Sequence, residues 1–351
     1  VPAAALICSR CAAPDDAATW HWRCPRCGGP LDFAEQPPPL EPLVTLGEPQ
    51  TPLVKLAIGG IDVLAKLEGA LPSGSFKDRG SRTVVSALRA DGRRHALTDS
   101  SGNAGASLAA YCARAGVACD VYVPEDTAPA KLTQIEALGA SVVRVRGSRS
   151  QVAEAAVAAA GDEATYVPHG WTPWFLLGTA SFAHELAGQL GRAPDAIVLP
   201  VGSGTLLLGV ARGFEALART GEVSRGPRLY AVQSAACAPL ADAAEQGLEE
   251  PVPVEPGPTA ADGIRIARPP RGVQILAAVR ASGGTVVRVA DDQLWAAFDV
   301  LASQGVLVEP TSAVAFAALD QLPLATTETV VVAITASGLK SIDAIARRPR
   351  V

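Results

Sequence analysis

From about residue 45 onward the chain alternates short β-branched runs with Ala- and Leu-rich stretches of helical spacing, and few folds admit that pattern. The strand-like runs cover 63–67, 96–99, 120–123, 142–145, 165–167, 196–201, 228–232, 285–289, 306–308 and 329–335. Helical stretches such as 131–138 and 152–160 lie between most of them. Strands joined through helices run parallel, with helices over both faces of the sheet. The expectation is an α/β chain of two parallel-sheet domains, 45–85 with 190–351 forming the larger and 86–189 a smaller inserted one. Ligands of such sheets sit at the carboxyl ends of strands, in the loops that lead into helices. With 351 residues, 48% hydrophobic and 19% charged, the chain has ample core and none of the polarity of a disordered one.

Ahead of this body, residues 1–36 hold four of the seven cysteines, as Cys8-Ser-Arg-Cys11 and Cys24-Pro-Arg-Cys27. Each pair can aim two thiolates at one point, and two pairs complete a tetrahedron, so a structural zinc ribbon is expected. A disulfide-stapled arm or a redox dithiol is the other reading, but a reducing compartment disfavours it. Three arginines (Arg10, Arg23, Arg26) face four acids (Asp15, Asp16, Asp32, Glu35) in this segment, a poor magnet for phosphate. The whole chain carries a net charge of −5, so neither nucleic acid nor an anionic membrane is an expected partner. Trp20 and Trp22 are expected to pack on the body, and the proline-rich 37–44 to act as a stiff linker. No run reaches the roughly 18 apolar residues of a membrane span, and no basic segment opens the chain; a cytoplasmic setting follows.

Four strand-to-helix loops carry unusual residues: Pro72-Ser-Gly-Ser-Phe-Lys77-Asp-Arg-Gly80, Ser100-Ser-Gly-Asn103-Ala-Gly-Ala-Ser107, Pro200-Val-Gly-Ser-Gly-Thr205, and Ala333-Ile-Thr335-Ala-Ser-Gly338. Small residues at a helix start leave backbone N–H groups aimed at an anion. Two such loops and one lysine among only five in the chain suggest a phosphorylated aldehyde cofactor, pyridoxal phosphate.

These motifs resemble, in order, those of the threonine synthase family of fold type II pyridoxal phosphate enzymes. Ser75-Phe-Lys77-Asp-Arg-Gly80 is similar to the family's cofactor-lysine motif, Ser100-Ser-Gly-Asn103 to its asparagine loop, and Gly202-Ser-Gly-Thr-Leu206 to its phosphate loop. Thr335 with the following Ala-Ser-Gly-Leu-Lys340 resembles its closing motif, while Thr51-Pro-Leu53 and Glu309-Pro-Thr-Ser-Ala313 are further landmarks. The likeness spans about 45–341, and many members also carry an amino-terminal ribbon. It implies Lys77 as catalytic and cofactor lysine and Asn103 on the ring hydroxyl. It further implies Gly202, Ser203, Gly204, Thr205 and Leu206 on the phosphate, Thr335 at the ring nitrogen, and Ser101, Gly102 and Ala104 on the substrate carboxylate. A homodimer acting on a small amino acid is implied as well. Asp78 and Arg79 read as structural.

Where the family holds substrate phosphate with Asn, Arg and Lys, this chain has His169, Phe175 and Ala180. An arginine fork is the best phosphate partner a protein offers, and it is missing from that position. Three activities stand open. The resemblance implies conversion of O-phosphohomoserine to L-threonine. A serine or threonine dehydratase or β-replacing enzyme is the alternative, to which Ala261-Asp-Gly-Ile264 also points, and a catalytically idle ribbon scaffold is the third. Weak turnover of O-phosphohomoserine is expected unless arginines such as Arg82 or Arg265 supply the missing charge.

Overall fold

The computed structural model describes residues 4–349 apart from 36, 38, 39 and 42. In chain order its strands are β1 (Ala5–Cys8), β2 (Pro14–Asp16), β3 (Leu31–Phe33), β4 (Leu53–Ile58), β5 (Ile61–Leu67), β6 (His95–Thr98), β7 (Ala118–Pro124), β8 (Ser141–Val145), β9 (Thr165–Tyr166), β10 (Ala196–Pro200), β11 (Arg228–Ser234), β12 (Val286–Val289) and β13 (Val330–Ile334). Two compact units divide the chain, one of residues 1–48 with 77–179 and the other of 49–76 with 180–351.

In the first unit, β6 to β9 form a parallel sheet of order β8-β7-β6-β9. Helices α1 (Lys77–Ala90), α2 (Asn103–Ala115), α3 (Pro129–Ala137), α4 (Arg149–Ala159) and α5 (Pro173–Thr179) belong to it. Residues 77–85, expected in the larger domain, group here because α1 packs on α2 and α5. The ribbon is a three-stranded antiparallel sheet of order β2-β1-β3 and lies in the same unit. Trp20 and Trp22 do pack on the α/β body. Trp20 Nε1 donates to Asp91 Oδ2 at 2.7 Å, and the Trp22 ring meets Tyr166 and Trp171 edge-on at 5.5 and 5.0 Å. Of the expected linker, Pro38, Pro39 and Pro42 lie outside the described residues, as does Gln36 before it. Leu40 and Val44 are buried, and the Val44 N–H donates to Ser86 Oγ at 2.8 Å, so the segment's end is anchored on α1.

The second unit is built on a six-stranded sheet of order β12-β11-β10-β13-β5-β4, parallel except for the β4–β5 hairpin. Its central strands β10 and β13 are buried at every position, as a sheet covered on both faces requires. Helices α6 (Ser181–Leu190), α7 (Thr205–Arg219), α8 (Pro239–Glu245), α9 (Gly272–Ala281), α10 (Asp291–Ser303) and α11 (Pro310–Ala317) accompany it. The expected strand at 306–308 is corrected: only Val308 pairs, in an isolated bridge to Ser337. The six residues between α10 and α11 instead exchange single backbone hydrogen bonds with the segment after β13, Glu309 N–H to the Ala336 carbonyl (3.3 Å) and Gly338 N–H to the Leu307 carbonyl (3.1 Å).

One buried polar cluster ties α6 to the sheet. Lys66, on β5 and fully buried, bonds to Glu185, to the Thr51 carbonyl (2.8 Å) and to Gln189 Oε1 (2.8 Å). Thr51 in turn donates from its N–H to Glu185 (2.7 Å) and from its hydroxyl to Glu68 (2.8 Å). Removing one member leaves the other charge buried without its partner, at a cost of about 3–5 kcal/mol. Glu185→Ala should therefore lose about that much in urea unfolding, and Glu185→Gln clearly less, because an acceptor for the Lys66 ammonium remains. Equal losses in the two variants would show that packing, and not charge, holds the cluster.

Candidate active site and metal centre

The four ribbon cysteines converge. Their sulfurs all lie within 4.8 Å of one another, the one such cluster of possible metal ligands among the described residues. The Cys11 and Cys24 sulfurs are 3.8 Å apart, and Cys8 and Cys27 3.4 Å. A tetrahedron with zinc–sulfur bonds of about 2.3 Å has an edge of about 3.8 Å, so the donor set fits that ion. The Arg10 and Gly29 N–H groups donate to the Cys8 and Cys27 sulfurs at 3.4 Å. Burial raises the Cys8 thiol, but N–H groups of Cys11 and Arg10 outweigh it and bring the pKa down to about 7. Its neighbour Cys27 is pushed up to about 12, since the crowded thiols do not ionise together without a cation.

The first unit places Lys77 as the first residue of α1 and Asn103 as the first of α2, with Ser101, Gly102 and Ala104 beside it. Gly102 is the N-cap; Ser101 and Ala104 are buried. At 13 residues, α2 directs its positive end at whatever occupies this corner. Asp78 accepts from Ser107 Oγ at 2.6 Å, so it braces α1 against α2, in keeping with a structural role. Next to Ala104 lies a small cavity whose other walls are Ser81, Val84, Thr98, Leu108, Val167, His169 and Phe175. None of these side chains is cationic as it stands. Burial, with the nearby positive charges of Lys77 and Arg149, holds the His169 imidazole down to about 3, so it is neutral at pH 7. Phe175 is 2% exposed and lies flat on α1: a Cβ on Gly80 would fall 2.5 Å from its ring. Arg82 lies 3.7 Å from Glu48 in this unit, and Arg265 of the second unit 3.4 Å from Asp262. Ala180 opens the second unit as the N-cap of α6.

The second unit places Gly202, Ser203 and Gly204 between β10 and α7, with Thr205 and Leu206 as the first residues of that 15-residue helix. Gly204 caps α7 at φ +74°, and a Cβ there would fall 2.2 Å from Ile275, while one on Gly202 would fall 2.8 Å from the Ile264 backbone. The loop is thus a cradle of backbone with no space for side chains, at a helix start whose N–H groups suit an anion. Thr335, just past β13, is 5% exposed and shares a 3.0 Å hydrogen bond with Ser312 Oγ. The Ala336 N–H also donates to Ser312 (3.3 Å), which explains the Glu309-Pro-Thr-Ser-Ala313 landmark: Ser312 fixes the strand end. Ser75, whose backbone forms a β-bridge to Ala336, is fully buried, and its hydroxyl has no hydrogen-bond partner, a polar atom free to meet a ligand. Sequence alone singled out neither Ser75 nor Ser312 for this, nor the neutral state of His169. Within the second unit, the backbone cradle, Thr335 and the orphaned Ser75 hydroxyl make a donor set that fits a phosphorylated pyridine cofactor such as pyridoxal phosphate.

Two parallel α/β sheets with small-residue loops and one lysine at helix starts define the frame of a fold type II pyridoxal phosphate enzyme. The family model "pyridoxal-phosphate dependent enzyme" matches residues 44–336. Threonine synthase of Mycobacterium bovis is 35% identical over 311 residues, covering 86% of this chain and 84% of its own. Threonine synthase of Methanocaldococcus jannaschii is 32% identical over 317 residues, covering 87% and 78%. Among solved structures, a T.th. threonine deaminase superposes with a TM-score of 0.70 at 27% identity, over 87% of this chain and 95% of that one. The chain belongs to the pyridoxal-phosphate dependent enzymes and, within them, to the threonine synthase family. It is an enzyme, and elimination chemistry is consistent with that membership. Among the described residues no helix is long and apolar enough to cross a membrane.

The cysteine geometry leads to a metal prediction: desalted protein should retain one equivalent of zinc, and Cys11→Ser should lose most of it while keeping the colour of bound cofactor. A metal-free parent with reduced thiols would overturn the assignment. His169 gives a pH prediction. Above its ordinary value of 6.5 the imidazole is neutral in both states; on acidification the unfolded chain binds the proton first and the folded chain only near 3. Stability should therefore fall across that interval, and His169→Asn should remove this part of the fall. Urea midpoints at pH about 7 and about 5 check it, parallel losses in parent and variant counting against it.

Proposed function

We propose that this chain is a pyridoxal phosphate-dependent carbon–oxygen lyase of threonine synthase type, acting on a small amino acid by elimination or replacement, with Lys77 as its base. The reading includes a homodimeric assembly and a cytoplasmic setting. When bound, the cofactor supplies an aldehyde that takes up an amino group and a ring that accepts electrons from the α-carbon. The chain's residues would hold and direct that chemistry. Gly202 to Leu206 would bind the phosphate through backbone N–H groups, Asn103 would meet the ring hydroxyl, and Thr335 the ring nitrogen. A threonine hydroxyl, already held by Ser312, places no negative charge there and so does not enforce a protonated ring. The N-terminus of α2, through Ser101, Gly102 and Ala104, would orient the substrate carboxylate. The Lys77 amine would move the proton at the α-carbon; neutral His169 beside it adds no competing positive charge.

The family implies O-phosphohomoserine as substrate and L-threonine as product. One observation favours the second reading, a serine- or threonine-dehydratase-like reaction: the cavity beside Ala104 is walled by Phe175, Val84, Val167, Leu108 and a neutral His169. A phosphate dianion against such a wall would cost several kcal/mol in desolvation without a paired cation. A short uncharged side chain incurs no such cost, and the Ser81 and Thr98 hydroxyls could meet its oxygen. The 27% identical threonine deaminase structure supports the same reading.

Steady-state assays of the holoenzyme separate the two. Turnover of L-serine or L-threonine should exceed that of O-phosphohomoserine by about tenfold or more in kcat/KM, the scale of one lost charged hydrogen bond. Low-micromolar KM for O-phosphohomoserine with robust threonine formation would reverse the ranking. In either case borohydride should fix cofactor to the parent chain and not to Lys77→Ala; a fixed label in that variant would sink the assignment of Lys77.

A further inference from the structure

We infer that the aromatic side chains of the ribbon, Trp22 foremost, are positioning residues for the His169–Phe175 wall, and so govern how the enzyme takes its substrate. The inference rests on the placement of the substrate beside that wall proposed above.

The wall is one layer thick. It consists of β9, the turn that follows it, and α5, and the ribbon lies directly behind it. On the ribbon side, Trp22 meets Tyr166 and Trp171 edge-on with interplanar angles of 80° and 82°. Trp20 stacks on Trp174 at 6.4 Å and 27°, and Phe33 meets the same Trp174 edge-on at 4.7 Å. On the opposite side, the His169 and Phe175 rings stand 5.7 Å apart and line the cavity beside Ala104. Val167 borders both that cavity and a second gap, enclosed by Trp20, Trp22 and Trp174. Val167 and Phe175 are thus the chain neighbours of Tyr166 and Trp174, which the ribbon holds, and His169 lies between Tyr166 and Trp171, two residues before the latter.

Trp174 and Phe175 are consecutive on α5, so their side chains diverge by about 100° and the backbone between them moves both. Seven residues are too few to form a helix without tertiary support, so packing determines where α5 sits. On one flank that packing is α1, close because Gly80 and Gly178 bear no side chain: a Cβ on Gly178 would fall 2.1 Å from the Arg79 carbonyl oxygen. On the other flank it is Trp20 and Phe33, both on Trp174, while Trp22 holds Tyr166 and Trp171, which bracket His169 in the chain leading into α5. Trp20 is itself fixed by its 2.7 Å hydrogen bond to Asp91, a carboxylate that also accepts from Arg93 at 3.2 Å. A clamp with one jaw removed no longer sets the position of the rings that face the substrate.

The test uses the full-length holoenzyme with Trp22→Ala and Trp22→Phe, each checked for cofactor and zinc content. The first readout needs no turnover: acylation of individual histidines by diethyl pyrocarbonate, followed by peptide mass spectrometry. His169 should react about fivefold faster in Trp22→Ala than in the parent, as local opening is eased. His95, in the same unit but paired with Asp120 at 3.0 Å, should not change, and Trp22→Phe should return His169 to the parent rate. The second readout is kinetic, with L-serine and O-phosphohomoserine as probes. Trp22→Ala should raise KM for the preferred probe about tenfold with little loss of kcat, and shift the ratio between the probes. Unchanged His169 reactivity, or a rise shared equally by His95, would overturn the inference. A parent that turns over neither probe would count against the proposed function instead, and the His169 measurement would still decide this inference.

Discussion

A parallel hydrogen-bond register puts all of its strand ends on one edge, and the chemistry of the second unit depends on that. Ala196 on β10 pairs with both Arg228 and Val330, and Ile334 at the end of β13 pairs with Leu67 at the end of β5. Because β10 and β13 are apolar at every position, nothing polar fits within them, and polar groups enter only where each strand stops. The glycine cradle at 202–204, Thr335 with its Ser312 partner, and Ser75 bridged to Ala336 are all such strand-end features. Sheet order brings them to neighbouring positions although more than 130 residues separate the first group from the last in sequence.

What the sequence made legible follows from the same constraint. Strands buried on both faces are β-branched runs, and the residues that end them are glycine or carry a hydroxyl, so β10, β11 and β13 and their loops could be read directly. Lys77 and Asn103 were legible because their residue types are uncommon in such loops. Strand β4 was harder: Leu53–Ile58 lacks a β-branched run, and its signal is the hairpin turn. Gly59 and Gly60 both have positive φ (57° and 81°), the backbone a two-residue hairpin demands, and that pair of glycines could have revealed it. The segment 306–308 misled in the opposite sense, since Val308 is buried and Val306 half-buried by packing and not by a ladder. Ribbon strands of three or four residues carry no periodicity at all; the cysteine pairs set their register.

The state of His169 was out of reach for a different reason. An imidazole is neutral or charged at pH 7 according to what surrounds it, and here the surroundings are Lys77, Arg149 and apolar walls contributed by α1, α2 and the turn after β9. Likewise, Phe175 reads in sequence as a lost arginine, but only the fold shows why the space is committed. Gly80 is the fourth residue of α1, and the Phe175 ring occupies the volume that a Cβ there would fill. An arginine reaching into the cavity from this position would have to contend with that close approach.

The ribbon also bears on how the protein behaves in solution. Tyr166, Trp171 and Trp174, with the apolar rim between them, form a contiguous face that the ribbon's own Trp20, Trp22 and Phe33 cover. Thiol oxidation that loosened the ribbon would bare aromatic surface on both pieces at once. Contiguous exposed patches of this kind drive association between copies of a chain. Keeping the four cysteines together thus keeps that surface covered, and a preparation that turns cloudy under oxidising conditions would be reporting on its ribbon before any change at Lys77.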